Sequence, residues 1–174
     1  MMDTIPAVIG VDVGKDGFIC LMPETGDPEF LAMPMIVPAG GKGKRRYDVA
    51  TLVRRLRDWN ARYFIRLVAV EKQQPYRGQG VSSTFSIGEG YGLMQGVVTA
   101  MGLPMECPHP RTWQAVMTRD VPGSDPKARA IEAAGRLFPK VDLRPSEHPA
   151  CKPSHNKADA LLIAAWAARK MGGV

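Results

Sequence analysis

The stretch Ala7-Val8-Ile9-Gly10-Val11-Asp12-Val13-Gly14 decides how this chain is read. An almost unbroken apolar run of this length marks a central strand buried on both faces. A carboxylate set in such a run is costly unless something pairs with it. Working outward, two more acids stand in comparable settings. Glu71 closes Leu67-Val68-Ala69-Val70-Glu71, and Asp159 opens Ala158-Asp159-Ala160-Leu161-Leu162-Ile163-Ala164-Ala165. Three carboxylates that converged in space would suit a divalent cation better than they suit each other, which points to metal-dependent chemistry on phosphate. Each acid alone has a plainer account: Asp12 as a turn residue, Glu71 as a strand-end charge, Asp159 as an acid favoured by the helix dipole. Their joint occurrence in one order of strands and helices favours a shared site.

The elements around the opening run follow from local signals. Lys15-Asp16-Gly17 is a turn, and Phe18–Met22 returns as a second strand. Phe30–Val37 reads as a third strand, interrupted by Pro34 and so expected to end early or lie near an edge. Asp48 is a helix N-cap ahead of Val49, Leu52, Val53, Leu56 and Trp59 at helical spacing, with arginines on the other face. Ile65–Glu71 is a fourth strand, and Gln73–Ser83 a loop. Thr84–Met101 reads as a helix weakened by Gly88, Gly90, Gly92 and Gly96, a density that suggests close backbone approach to another helix or a ligand. Met105–Pro108 is a short fifth strand. Pro110–Thr118 and Pro126–Phe138 are helices, the latter opened by Ser124-Asp125-Pro126. Asp142–Ser154 is a polar loop, and Lys157–Met171 the last helix. The order βββαβαβα gives an α/β fold, a mixed five-stranded sheet flanked by helices. Residues at the ends of buried strands in such a sheet share a crevice. Asp12 and Glu71 meet there if their strands are neighbours, and Asp159, placed in the first turn of the last helix, completes the group if that helix packs across the same edge. Two Mg²⁺ ions about 4 Å apart would then orient a water and drive in-line phosphodiester hydrolysis.

Composition bounds the reading. At 174 residues, 45% of them apolar, the chain is long enough for one domain with a real core and is not of disordered composition. The formal charge of +6 is unevenly spread. Gly40-Gly41-Lys42-Gly43-Lys44-Arg45-Arg46 is a cationic loop, and Arg54, Arg55, Arg57, Arg62 and Arg66 follow it. This is either a solvated face or a surface that neutralises phosphates. Three cysteines, Cys20, Cys107 and Cys151, show no paired spacing and fit a reducing compartment. Cys107, His109, His148, Cys151 and His155 are zinc-ligand types but match no usual zinc spacing. With no signal-like start and no apolar stretch of about 20 residues, the expectation is a cytoplasmic protein that does not enter the membrane.

Four segments in order carry a resemblance: Ile9-Gly10-Val11-Asp12-Val13-Gly14; Val70-Glu71-Lys72; Gln79-Gly80-Val81-Ser82-Ser83-Thr84-Phe85 with Gly88 and Gly92; and His155-Asn156-Lys157-Ala158-Asp159-Ala160-Leu161. Together they resemble the RuvC family of Holliday-junction resolvases, within the RNase H-like and retroviral-integrase superfamily, and are most similar to the compact RuvC-like proteins of phages. The first segment alone is shared with actin-like and sugar-kinase ATPases, but those need a second large domain for which this chain is too short. The glycine-rich segment at its distance from Glu71 is more specific.

The resemblance implies an RNase H-like fold and a Mg²⁺-dependent endonuclease, with Mn²⁺ as a substitute. It implies a homodimer resolving four-way junctions by symmetric cleavage, in a bacterial or phage-infected host cytosol. A broader fork and flap nuclease, or a catalytically silent junction-binding module, are the other readings. Asp12, Glu71 and Asp159 match three of the family's four metal-binding acids. The fourth position, Asp or His in different members, lies one turn before the last acid. Here that turn offers His155 and Asn156, and His155, four residues back, shares the face of Asp159 if the helix begins there. The plainer account of His155 is a residue that caps or precedes the helix. The resemblance also implies DNA contacts. Lys127 and Arg111 stand at helix starts suited to phosphate, Tyr76 could stack on bases, and Lys72, Arg77 and Lys157 complete the set. The family's dimers point to the glycine-bearing helix as an interface, with Met94, Val97, Val98 and Met101 either there or in the core.

Overall fold

A computed structural model describes residues 4–41, 43–75, 78, 80–146, 148 and 150–172. Five strands form the main sheet: β1 (Ile5–Val11), β2 (Phe18–Pro23), β3 (Glu29–Ala32), β6 (Tyr63–Val70) and β7 (Met105–Glu106), in the order β3-β2-β1-β6-β7. β1 pairs antiparallel with β2 and parallel with β6, and β6 pairs parallel with β7. The sheet is therefore mixed and five-stranded, as expected, with an RNase H-like arrangement. The predicted third strand divides at Pro34, which has no N–H to continue a ladder. β3 stays at the sheet edge, while β4 (Met35–Ile36) turns away to pair with β5 (Arg46–Tyr47) as a separate ribbon.

The helices are α1 (Val49–Arg62), α2 (Val81–Ala100), α3 (Pro110–Met117), α4 (Pro126–Leu137) and α5 (His155–Lys170). Asp48 caps α1 by accepting from Thr51 N at 3.0 Å, and Asp125 caps α4 by accepting from Lys127 N at 3.0 Å. Strand alternation sorts the core into two layers. Ala7, Ile9 and Val11 of β1 and Val68 and Val70 of β6 face Leu52, Leu56, Trp59, Met94, Val97 and Val98 of α1 and α2. Val8 of β1 and Leu67 and Ala69 of β6 face α3, α4 and α5. Met94, Val97 and Val98 are thus core residues rather than interface residues.

α5 is the central helix of its layer, buried at Ala158 and from Ala160 to Ala167. It can lie directly on β1 because position 10 has no side chain. A Cβ there would run into the backbone of Ala160 and Ala164, with Ala164 Cα at 2.8 Å. The small residues at 160 and 164 are the other half of this contact. In α2 the glycines divide by role. A Cβ on Gly90 would strike Tyr47, whereas Gly88, Gly92 and Gly96 have nothing within 4 Å of such an atom. Of these four glycines of α2, only Gly90 answers to close approach. Among these residues no helix is long and apolar enough to cross a membrane.

Gly10→Ala should therefore displace α5, because neither partner atom is a flexible side-chain end. The expected loss is about 3 kcal/mol or more in urea unfolding, at the upper end for overpacking. Gly92→Ala, facing open space inside a helix, should instead be neutral or stabilise the isolated chain by up to about 1 kcal/mol.

Candidate functional site

Asp12 and Glu71 each follow a strand by one residue, and those strands are parallel neighbours in register, Val11 opposite Val70. The ladders run on past both strand ends. Asp12 N donates to Phe18 O at 3.0 Å, and Glu71 N donates to Val11 O at 3.1 Å. Continuing the alternation by one residue sends both carboxylates to the α3–α5 side of the sheet. Trp113 of α3, fully buried, donates from Nε1 to Glu71 Oε1 at 3.0 Å. Gln73 Nε2 donates to Glu71 Oε2, also at 3.0 Å. Glu71 is therefore held at both oxygens. Asp12 Oδ1 accepts a longer bond from Gly14 N at 3.4 Å.

Asp159 reaches the same edge from α5. The helix begins two residues earlier than predicted, at His155, with Ser154 Oγ accepting from Lys157 N. Asp159 thus stands in the second turn rather than the first, beyond the reach that the dipole account required. Its position is set by the packing of α5 on Gly10.

Burial acts on all three acids, and two of them also feel their acidic neighbours. Burial, then the charge of Glu71, lifts Asp12 to about 7, against the pull of the Gly14 N–H. Burial, then Asp12 and Glu71, lifts Asp159 to about 8, with Lys127 opposing. Glu71 is raised by burial, opposed by its bonds to Trp113 and Gln73 and by the charge of His109. None of the three joins an ion pair among the described residues. Among those residues no three His, Cys, Asp or Glu side chains form a ready-made metal cage. The acids are close enough to raise each other's proton affinity without being gathered at liganding distance. Their chemistry nonetheless fits a hard divalent cation: all are carboxylates, and a positive charge among them would offset the burial and the neighbouring charges that raise Asp12 and Asp159.

The other predicted site residues fall in distinct places. His155, half-buried on the first residue of α5, is pushed down by burial and by Lys127, against Asp125, so it is neutral near pH 7. Its electrostatic neighbours are these two rather than the acids. Asn156 Nδ2 donates to Asp16 O at 2.9 Å, tying the start of α5 to the β1–β2 turn. Lys127 is exposed and acts on both Asp159 and His155. Arg111 is exposed at the start of α3, where its N–H donates to His109 Nδ1 at 3.3 Å. Lys72 is exposed, with its backbone N donating to Pro108 O. Lys157 is used inside the fold: Nζ donates to Arg144 O at 3.0 Å and stands 4.7 Å from the Phe30 ring centroid. Tyr76 and Arg77 lie outside the described residues. Trp113 was not singled out from the sequence. The available signal was a tryptophan on the apolar face of a short helix, since a buried indole N–H needs an acceptor.

No family model and no curated protein matches the chain. Solved structures do. The Thermus thermophilus RuvC structure aligns with a TM-score of 0.59 at 19% identity, covering 96% of this chain and 97% of that one. T. thermophilus RuvC in complex with Holliday junction substrate gives 0.58 at 20%, over 94% and 95%. The yeast mitochondrial Holliday junction resolvase Ydc2 gives 0.62 at 11%, over 95% of this chain and 79% of that one. The fold is that of the RuvC and Ydc2 resolvases. At these identities the likeness speaks for the RNase H-like fold and its layout; the chemistry rests on this chain's own residues.

The raised carboxyls give a stability signature. Asp12 and Asp159 bind protons more tightly folded than near their ordinary value of 3.8. Their contribution is fully present below about pH 4 and is lost as pH rises through about 7 and 8. In chelator, the unfolding free energy should fall across that window by about 1.4 kcal/mol per pH unit for each proton difference, and the melting temperature with it. In Asp12→Asn the fall should be shallower, and the melting temperature at pH 8 higher than in the parent. A parallel profile for the variant would contradict the shift.

Proposed function

We propose that this chain is a divalent-metal-dependent endonuclease acting on branched DNA, with four-way junctions as its substrate. The observation that carries this is the meeting of Asp12, Glu71 and Asp159 at one sheet edge, in a fold shared with junction resolvases. On this reading the three carboxylates hold Mg²⁺, or Mn²⁺ in its place. When bound, the metal supplies charge stabilisation at the scissile phosphate and a more acidic water. Trp113 and Gln73 fix the orientation of Glu71, as outer-shell partners of a liganding carboxylate do. His155, neutral and one turn before Asp159, is suited to complete the ligand set or to carry a proton. Asn156 is committed to Asp16, which favours His155 over it for that role. Lys127 is placed to hold a phosphate beside the acids, and Arg111 and Lys72 lie on exposed surface suited to neighbouring phosphates.

A homodimer fits a two-fold substrate. The outer face of α2 is suited to it: Val81 and Phe85 are 87% and 74% exposed, and Gly88, Gly92 and Gly96 continue the same stripe with open space before them. This face replaces the one that carries Met94, Val97 and Val98.

Incubating labelled four-way junction, fork and linear duplex with the protein, with and without Mg²⁺, tests the reading. Symmetric Mg²⁺-dependent cutting of the junction is expected. Asp12→Asn should lower it by at least about 100-fold and Trp113→Phe by about 10-fold, with junction binding retained in both. Sedimentation of the same samples should show a dimer that Phe85→Lys dissociates. Binding without cutting would favour a silent module, equal cutting of forks a general branch nuclease, and undiminished cutting by Asp12→Asn would contradict the site.

A further inference from the structure

The basic residues Lys44, Arg45 and Arg46 take no part in the chemistry above, yet the fold brings Arg45 to the turn beside the acidic edge. Arg45 Nη2 pairs with Asp16 Oδ1 at 2.8 Å. Lys15 Nζ donates to Arg45 O at 3.1 Å and stands 5.8 Å from the Tyr47 ring centroid. Tyr47 Oη in turn donates to Val13 O at 3.2 Å. Residues 45–47 are thereby fastened to residues 13–16, the turn that directly follows Asp12. The Tyr47 hydroxyl is raised by burial, then by the charges of Glu89 and Asp12, with Arg45 opposing. The same turn is tied to α5 through Asn156 and Asp16 O, so Asp16 links the basic segment, the Asp12 turn and the helix that carries Asp159.

The Arg45–Asp16 pair is open to solvent, with side chains 43% and 73% exposed. An exposed pair of this kind is weak and readily exchanged. A phosphodiester offers the guanidinium two acceptor oxygens in the planar geometry it prefers. A strand entering the acidic site also brings negative charge toward three carboxylates, and cations on the rim offset that repulsion. Lys44 and Arg46, both exposed, extend the positive surface outward.

We propose that Lys15 and Arg45 form a phosphate-gripping lip on the acidic site, with Asp16 as the latch that holds Arg45 until a nucleic-acid backbone phosphate displaces it. The inference rests on the nuclease reading and adds to it the segment that holds the strand. It also sets a sign: Asp16 competes with DNA, so removing its charge strengthens binding.

The test is fluorescence anisotropy of a labelled four-way junction with the full chain in chelator, from about 50 to about 200 mM salt, the range where phosphate contacts are read from the slope. The Lys15→Ala/Arg45→Ala double variant should bind with a log K against log salt slope shallower by about two. Asp16→Asn should bind about threefold tighter or more at the low-salt end, and this gain should vanish when Arg45→Ala is added. A pair that merely braced the fold would give the opposite sign, weaker binding for Asp16→Asn together with a lower melting temperature. An unchanged slope in the double variant, or weaker binding by Asp16→Asn, would overturn the lip while leaving the nuclease reading in place. Absence of DNA binding by the unaltered protein would instead remove that reading, and the lip with it.

Discussion

The backbone contact between α5 and Gly10 is the constraint on which the rest of the structure depends. β1 is the middle strand of the sheet, and α5 is the most deeply buried helix. With no side chain at position 10 and alanines at 160 and 164, the helix backbone meets the strand backbone directly. That closeness fixes the height of α5 over the sheet and so the point at which Asp159 crosses its edge. A bulkier residue at any of the three positions would separate Asp159 from Asp12 before it disturbed the acids themselves. Ala158, Leu161, Leu162 and Ile163 around the contact supply the apolar burial that holds the helix there.

Such an arrangement sets three carboxylates into one another's fields and out of water. The fold tolerates this through protons and hydrogen bonds. Asp12 and Asp159 respond to burial and mutual repulsion by keeping protons near neutral pH. Glu71 is instead held at both oxygens by Trp113 and Gln73, which partly offset its burial. The three acids are therefore not equivalent. One is a fixed, bonded carboxylate on a strand end, and two are proton-holding groups whose charge depends on what else enters the site. Groups whose proton affinity is strongly shifted by burial together with a specific charged neighbour cluster at functional sites.

The sequence made some of this visible and hid the rest for physical reasons. The apolar run at 7–13, the capping residues Asp48 and Asp125, and the strand-end positions of Asp12 and Glu71 are local patterns, and local patterns are written in neighbouring residues. Their convergence follows from parallel pairing of β1 with β6, which the βα order already implied. The division of the third strand was half legible, since Pro34 announced a break but not the separate ribbon with β5. The start of α5 at His155 was missed because its cap, Ser154, is an ordinary loop residue whose role appears only once Leu143 O accepts its N–H. The glycines of α2 look alike in sequence, and only the position of Tyr47 separates Gly90 from the others. Trp113 to Glu71 and Asn156 to Asp16 span 42 and 140 residues, distances at which one sequence carries no pairing signal.

The central claim is that Asp12, Glu71 and Asp159 together receive a divalent cation. Calorimetric titration of Mn²⁺ and of Mg²⁺ into the protein at pH 7, in two buffers of different ionisation enthalpy, tests it most directly. Because two of the acids hold protons there, saturable binding should release about one proton or more per site, and the release should fade toward pH 9, where the acids are already ionised. Asp12→Asn should lose most of the affinity. Absence of saturable binding, or binding at pH 7 that releases no proton, would contradict the account.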